Sequence, residues 1–207
     1  MIANKFNIFR SAIFAGILIG IAGLGFLISK SIGMFLFIFG LAAVVSYGVK
    51  LYTGTAGFIN YANYNDIIDL IIILFGNIIG CFIISLIARF NIVDVQSAAD
   101  IILTTRLTMG GFGCFINAIG CGVLMSAAVD FARQGKDFGY WVPLLLAVPL
   151  FIHCGFPHCI ADAFYYLTCH SHIILANITP LIIVYICTVF GNLLGCNLYA
   201  IKNHIKV

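Results

Sequence analysis

The sequence predicts an all-α membrane protein of six transmembrane helices, arranged as two inverted three-helix repeats with the second and fifth helices broken. Three observations carry this reading: charge is scarce, apolar runs recur at spanning length, and one heptapeptide occurs twice at matching places.

Only 8% of the 207 residues are charged, 63% are hydrophobic, and mean hydropathy is +1.15. Soluble domains carry about 25% charged residues, so this chain cannot cover a water-facing surface and lipid must be its main solvent. All acidic residues are aspartates. The basic residues are scattered rather than gathered on a face, which excludes nucleic-acid binding. Most of the eight cysteines lie inside apolar runs, as Cys81, Cys114, Cys121, Cys187 and Cys196 do, and read as buried reduced thiols rather than a disulfide framework. Lys5 and Arg10 before an apolar run imitate a signal peptide, but no cleavage pattern follows, so an uncleaved first helix is expected.

A spanning helix needs about 20 mostly apolar residues. The first segment runs from Ser11 to Ser29. The second runs from Ile32 to Val49, is interrupted at residues 50–57, and continues briefly to Tyr64. The third covers Ile67 to Ala88, and a more polar stretch, 89–108, leads to a fourth from Met109 to Val129. The fifth begins near Tyr140, breaks around residues 154–158 and resumes to Leu167; the sixth covers Ile173 to Ala200. Residues 1–207 thus form one transmembrane channel domain, with half-repeats at about 11–88 and 109–201. Placing both termini in the cytoplasm puts Lys5, Arg10, Arg133, Lys136, Lys202 and Lys206 inside, against Lys30, Arg89 and Arg106 outside, which agrees with the positive-inside tendency.

The third segment contains Phe75-Gly-Asn-Ile-Ile-Gly-Cys81 and the sixth Phe190-Gly-Asn-Leu-Leu-Gly-Cys196. Small residues four apart allow close helix packing in any bundle. Duplication goes further, because two halves of three spans each must have opposite topology, and inverted repeats with broken helices place a permeation site at the breaks.

Non-helical backbone at membrane depth survives only around a cavity or inside protein. The first break, Leu51-Tyr-Thr-Gly-Thr55, offers two hydroxyls; the second, Gly155-Phe-Pro-His-Cys159, offers an imidazole. Each is expected to leave backbone N–H groups at the start of a following half-helix, where they and the dipole attract an anion. An ionisable side chain inside a span is a functional candidate by default, which singles out His158 and Asp162. A lone histidine in an apolar run can equally be a satisfied structural residue; the paired breaks favour function here. His153 and the His170/His172 pair are weaker candidates. Cys159, Cys169, His170 and His172 fit no common zinc spacing, and no cofactor is expected.

At these residues the chain resembles the formate/nitrite transporter family along nearly its whole length. Leu51-Tyr-Thr-Gly54 is similar to that family's Leu-Phe-Thr-Gly/Ser loop, and Gly155-Phe-Pro-His-Cys-Ile-Ala-Asp162 to its Gly-Phe-Glu-His-Ser/Cys-Val/Ile-Ala-Asn signature. The two Gly-Asn-x-x-Gly pieces match its third and sixth helices. The resemblance implies an aquaporin-like fold, a homopentamer with one pore per protomer, a prokaryotic inner membrane, and passage of small monovalent anions such as formate, nitrite or hydrosulfide, with protons as a possible co-substrate. It makes Thr53 the pore threonine, His158 the central histidine, Leu51 and Phe156 neighbours of constrictions, and Arg106 the counterpart of a lysine near the outer entrance. The chain departs from the family at Lys50 and Pro157, where acids are usual, at Asp162, where asparagine is usual, and at Gly122, where a fourth-helix asparagine is expected.

The function expected is therefore a membrane channel for small weak-acid anions, proton-coupled through His158. The alternative is a channel for water, glycerol or urea on the same fold, although paired Asn-Pro-Ala loops are missing. A haem-binding redox subunit would need histidines facing each other from neighbouring spans, and His153 and His158 share one segment. No nucleophile–base–orienter set points to an enzyme.

Overall fold

The computed structural model describes residues 2–201, so Lys202 and Lys206 of the charge argument lie outside the described residues. Every regular element among these residues is helical: α1 (Ile2–Ile28), α2 (Lys30–Leu36), α3 (Ile38–Ser46), α4 (Tyr64–Ala88), α5 (Val95–Gln134), α6 (Phe138–His153), α7 (Cys159–Thr168), α8 (Ser171–Ala176) and α9 (Ile178–Ala200), with one 3₁₀ turn at Ala56–Phe58. Among the described residues, four helices are long and apolar enough to cross a membrane: Asn4–Ile28 within α1, α4, α5 and α9. The runs Lys30–Ser46 and Phe138–His153 are apolar but shorter.

Helices α3 and α6 stop in the same way. Gly48 (φ +64°) follows α3 and Gly155 (φ +68°) follows α6. In each case the glycine N–H returns to the carbonyl three residues back and the next N–H to the carbonyl five back: Gly48 to Val45 and Val49 to Val44, then Gly155 to Ile152 and Phe156 to Phe151. This double bond is the Schellman motif, whose left-handed residue glycine adopts without steric cost. The interruption therefore begins at Gly48, earlier than the expected Lys50.

Beyond the stops the two halves differ. A ten-residue helix, α7, follows the second interruption, whereas only the 3₁₀ turn follows the first. Of the polar connection expected over residues 89–108, residues 95–108 form the first part of α5. The hydroxyls of Thr104, Thr105 and Thr108 bond the carbonyls four residues back, which satisfies them inside a helix. Asp94 caps its start by accepting from Ser97 N–H. Gly110 (φ +71°, ψ 169°) kinks the helix just inside the expected fourth segment.

The repeated glycines seat the long helices in pairs. A side chain on Gly76 would strike Ala12, and one on Gly80 would overlap Ile13 O, both on α1. In the other half Gly191 meets Ala118 and Gly195 meets Ile119 O, both on α5. Gly122 belongs to the same contact: a Cβ there would overlap Asn192 O and lie 2.8 Å from Cys196 N. The asparagine expected at that position has no room, because α5 and α9 touch backbone to backbone.

Candidate functional site

The site is built where the two interruptions meet. Thr53 and His158 are buried, at 0% and 2% exposure, and Thr53 Oγ1 lies 2.9 Å from His158 Nε2. His158 is also the N-cap of α7, its Nδ1 accepting from Ala161 N–H at 3.1 Å. An imidazole nitrogen that accepts carries no proton, so the neutral ring holds its hydrogen on Nε2 and donates it to the Thr53 hydroxyl. The Phe151 ring stands beside the imidazole, with centroids 5.7 Å apart.

Both interruptions are held by the repeated asparagines. Asn77 Oδ1 accepts from Tyr52 N–H at 2.9 Å, while its Nδ2 donates to Ala12 O and Lys50 O at 2.8 and 2.9 Å. Asn192 Oδ1 accepts from Cys159 N–H at 2.8 Å, and its Nδ2 donates to Ala118 O and Pro157 O at 2.8 and 3.0 Å. Each amide ties its own half's interruption to the helix its glycines pack against, with both amide hydrogens and the oxygen engaged. Sequence reasoning passed over these two residues, although the asparagine common to both heptapeptides was the available signal.

Of the N–H groups at the breaks, those of Tyr52, Cys159 and Ala161 donate to Asn77, Asn192 and His158. The half-helix expected after the first break is replaced by the 3₁₀ turn, whereas α7 follows the second.

A cavity of about 250 Å³ reaches His158 from one side, lined also by Phe156, Phe151, Lys30, Arg106 and Asp162. Arg106 and Asp162 are paired on its wall: Nε to Oδ2 at 3.1 Å, Nη2 to Oδ1 at 3.4 Å, with Nη1 donating to Gly155 O at 2.7 Å. Their side chains are 10% and 1% exposed. The charge expected of Arg106 is thus opposed locally by Asp162, and its guanidinium holds the carbonyl that precedes Phe156. A second cavity of about 140 Å³ lies toward the other end of α1, lined by Ile8 where the first is lined by Phe26, and it contains Lys50, Thr55, Asp66 and Asp69. Asp69 is paired with Lys5 at 3.0 Å. His158 lines the first cavity, and Thr55, two residues beyond Thr53, lines the second. Leu51 is buried near Thr53 and its carbonyl accepts from Thr55 Oγ1, but its side chain lines neither cavity.

His170, expected in a solvated loop, is instead fixed to α5: its N–H and Nδ1 engage the two oxygens of Asp100 at 3.0 and 2.7 Å.

Helices that are apolar over a membrane-spanning length, with large apolar side chains exposed along them and polar groups buried inside, are those of a multi-pass membrane protein. The sequence model of the formate/nitrite transporter family matches residues 3–202, and the chain belongs to that family. No curated protein matches the sequence. Among solved structures, the fold is similar to a pentameric formate channel with formate bound, at 21% identity and a TM-score of 0.82, over 98% of this chain and 96% of that one. It is similar also to an ion channel of the same family, at 16% identity and a TM-score of 0.83, over 98% and 90%.

Proposed function

We propose that the protein is a channel for small monovalent weak-acid anions of the formate, nitrite and hydrosulfide class, with the Thr53–His158 contact as its central selectivity point. The observation that carries this reading is that contact itself, a donor and a hydroxyl buried together, with His158 lining one cavity and Thr55, two residues from Thr53, lining another. His158 Nε2–H donates to Thr53 Oγ1, so the hydroxyl's own hydrogen is left to point at a passing ion. Acceptor-only solutes such as carboxylates suit that donor, and Phe156 and Phe151 strip water before it is reached. The neutral acid crosses such apolar walls more readily than the ion, since an unpaired charge carries a large desolvation penalty. For His158 to supply the proton, Nδ1 must take up hydrogen and release Ala161 N–H, so proton coupling requires the α7 cap to open and close.

In this reading the protein spans the membrane six times, with α2–α3 and the first interruption forming one span and α6, the second interruption and α7 another. The halves are inverted repeats, both termini face the cytoplasm of a prokaryotic inner membrane, and five copies assemble with one pore each. The family membership and the pentameric architecture of the similar formate channel support this arrangement.

Reconstitution in liposomes tests the function. Internal pH is followed after addition of formate, nitrite, hydrosulfide or urea. Fast acid-linked flux is expected, and urea flux without acid flux would overturn the anion reading in favour of a neutral-solute channel.

A further inference from the structure

The carbonyls of the first interruption can be followed one by one. Lys50 O accepts from Asn77 Nδ2, Leu51 O from Thr55 Oγ1, Tyr52 O from Thr55 and Ala56 N–H, Gly54 O from Arg133 Nη2, and Thr55 O from Phe58 N–H. The donor to Thr53 O is a thiol, Cys196 Sγ on α9, at 3.4 Å. Buried backbone carbonyls at membrane depth have no water to turn to. Thr53 is also the residue whose hydroxyl meets His158.

The opposite half repeats the contact. Cys81, which closes the first heptapeptide as Cys196 closes the second, places its Sγ 3.3 Å from Ile160 O and 3.5 Å from Gly16 O. Ile160 lies in the first turn of α7, two residues after His158. The asparagines therefore bind each interruption to its own half, while the thiols reach across: α4 to the second interruption's helix, α9 to the first interruption's loop. Both cysteines are fully buried. Ile160 O sits within a helix, whereas Thr53 O sits in a non-helical turn, so the two contacts differ in what depends on them.

We propose that Cys196 is a positioning residue for the pore: its S–H, donated to the Thr53 carbonyl, fixes the Thr53 backbone so that the hydroxyl meets His158 from the other half. Cys81 makes the counterpart contact on α7. The inference rests on the reading of Thr53–His158 as the selectivity point.

Two measurements test it. In liposomes, Cys196→Ala is expected to lower anion flux about two- to fivefold, the scale of one weak S–H hydrogen bond, and to alter the formate-to-nitrite ratio. Cys196→Ser differs from that variant only by a hydroxyl donor and is expected to restore both. Wild-type behaviour in Cys196→Ala, or a Cys196→Ser variant as impaired as Cys196→Ala, overturns the proposal. The second measurement does not depend on transport: the infrared S–H stretching band isolated by subtracting the Cys196→Ala spectrum from the wild-type spectrum. A band lowered and broadened by hydrogen bonding is expected, and one at the free-thiol position overturns the proposal. Should the wild type pass no anion at all, the channel reading fails and the infrared band alone decides the role of Cys196.

Discussion

Thr53 Oγ1 and His158 Nε2 lie 2.9 Å apart although the residues belong to opposite halves of the chain and to interruptions of different form. One half contributes a hydroxyl on a turn, the other an imidazole at a helix N-cap. Asn77 holds the backbone beside Thr53 and Asn192 the backbone beside His158.

Replacing His158 by Phe removes the Nε2–H donor and the cap acceptor of α7 together. Acid-linked flux is expected to vanish, with a stability loss of about 1 kcal/mol from the lost cap and the oligomer intact by size-exclusion chromatography. Unchanged acid uptake in liposomes would sink the central role of the histidine.

Asn192→Ala strands Cys159 N–H and the Pro157 carbonyl, and takes a second donor from the Ala118 carbonyl inside α5. With each buried orphan costing about 1–3 kcal/mol before relaxation, a destabilisation of about 3 kcal/mol is expected. Asn77→Ala should cost a similar amount, since it strands an equivalent set. Thermal unfolding in detergent checks both. A loss in one variant without the other would mean that the halves do not use their asparagines alike.

Gly195→Ala sets a methyl group into Ile119 O and should cost about 2 kcal/mol or more by forcing α5 and α9 apart. Gly25→Ala meets nothing nearer than Leu36 Cβ at 4.0 Å and should be neutral or stabilise by up to about 1 kcal/mol, the helix-propensity difference. The same melting experiment separates them. Equal melting temperatures would contradict the backbone-to-backbone packing.

Asp162→Asn leaves Arg106 uncompensated on the cavity wall while keeping an amide for it to bond. Anion uptake at low ionic strength is expected to rise several-fold, and the gain to fade as salt screens the charge over about 10 Å. Arg106→Gln instead leaves a buried carboxylate alone and should destabilise by about 3–5 kcal/mol. Flux measured against ionic strength, beside a melting curve, tests both. A salt-independent gain would show that Asp162 acts on shape rather than charge.

Much of the plan was legible without a structure. Apolar run lengths gave the membrane helices because a bilayer imposes a fixed length. The paired heptapeptides marked matching contacts of α4 and α9, and the residues where helices stop stood out as glycines, beside a proline and an intramembrane histidine. What local pattern could not give was partnership over distance. The threonines of 104–108 read as a connection, since nothing in composition tells that their hydroxyls fold back on helical carbonyls. Gly122 read as a departure until the closeness of α9 gave it a reason.

The sequence by itself determined that this is a lipid-solvated helical protein with two interruptions, because hydropathy and glycine conformation act within a few residues. The tertiary structure decided what those interruptions do. It committed the N–H groups of Tyr52, Cys159 and Ala161 to Asn77, Asn192 and His158. It paired Arg106 with Asp162 across fifty-six residues of chain, and brought Thr53 to His158. Buried polar groups must find partners wherever the packing of helices places them, and those places are set by the whole fold.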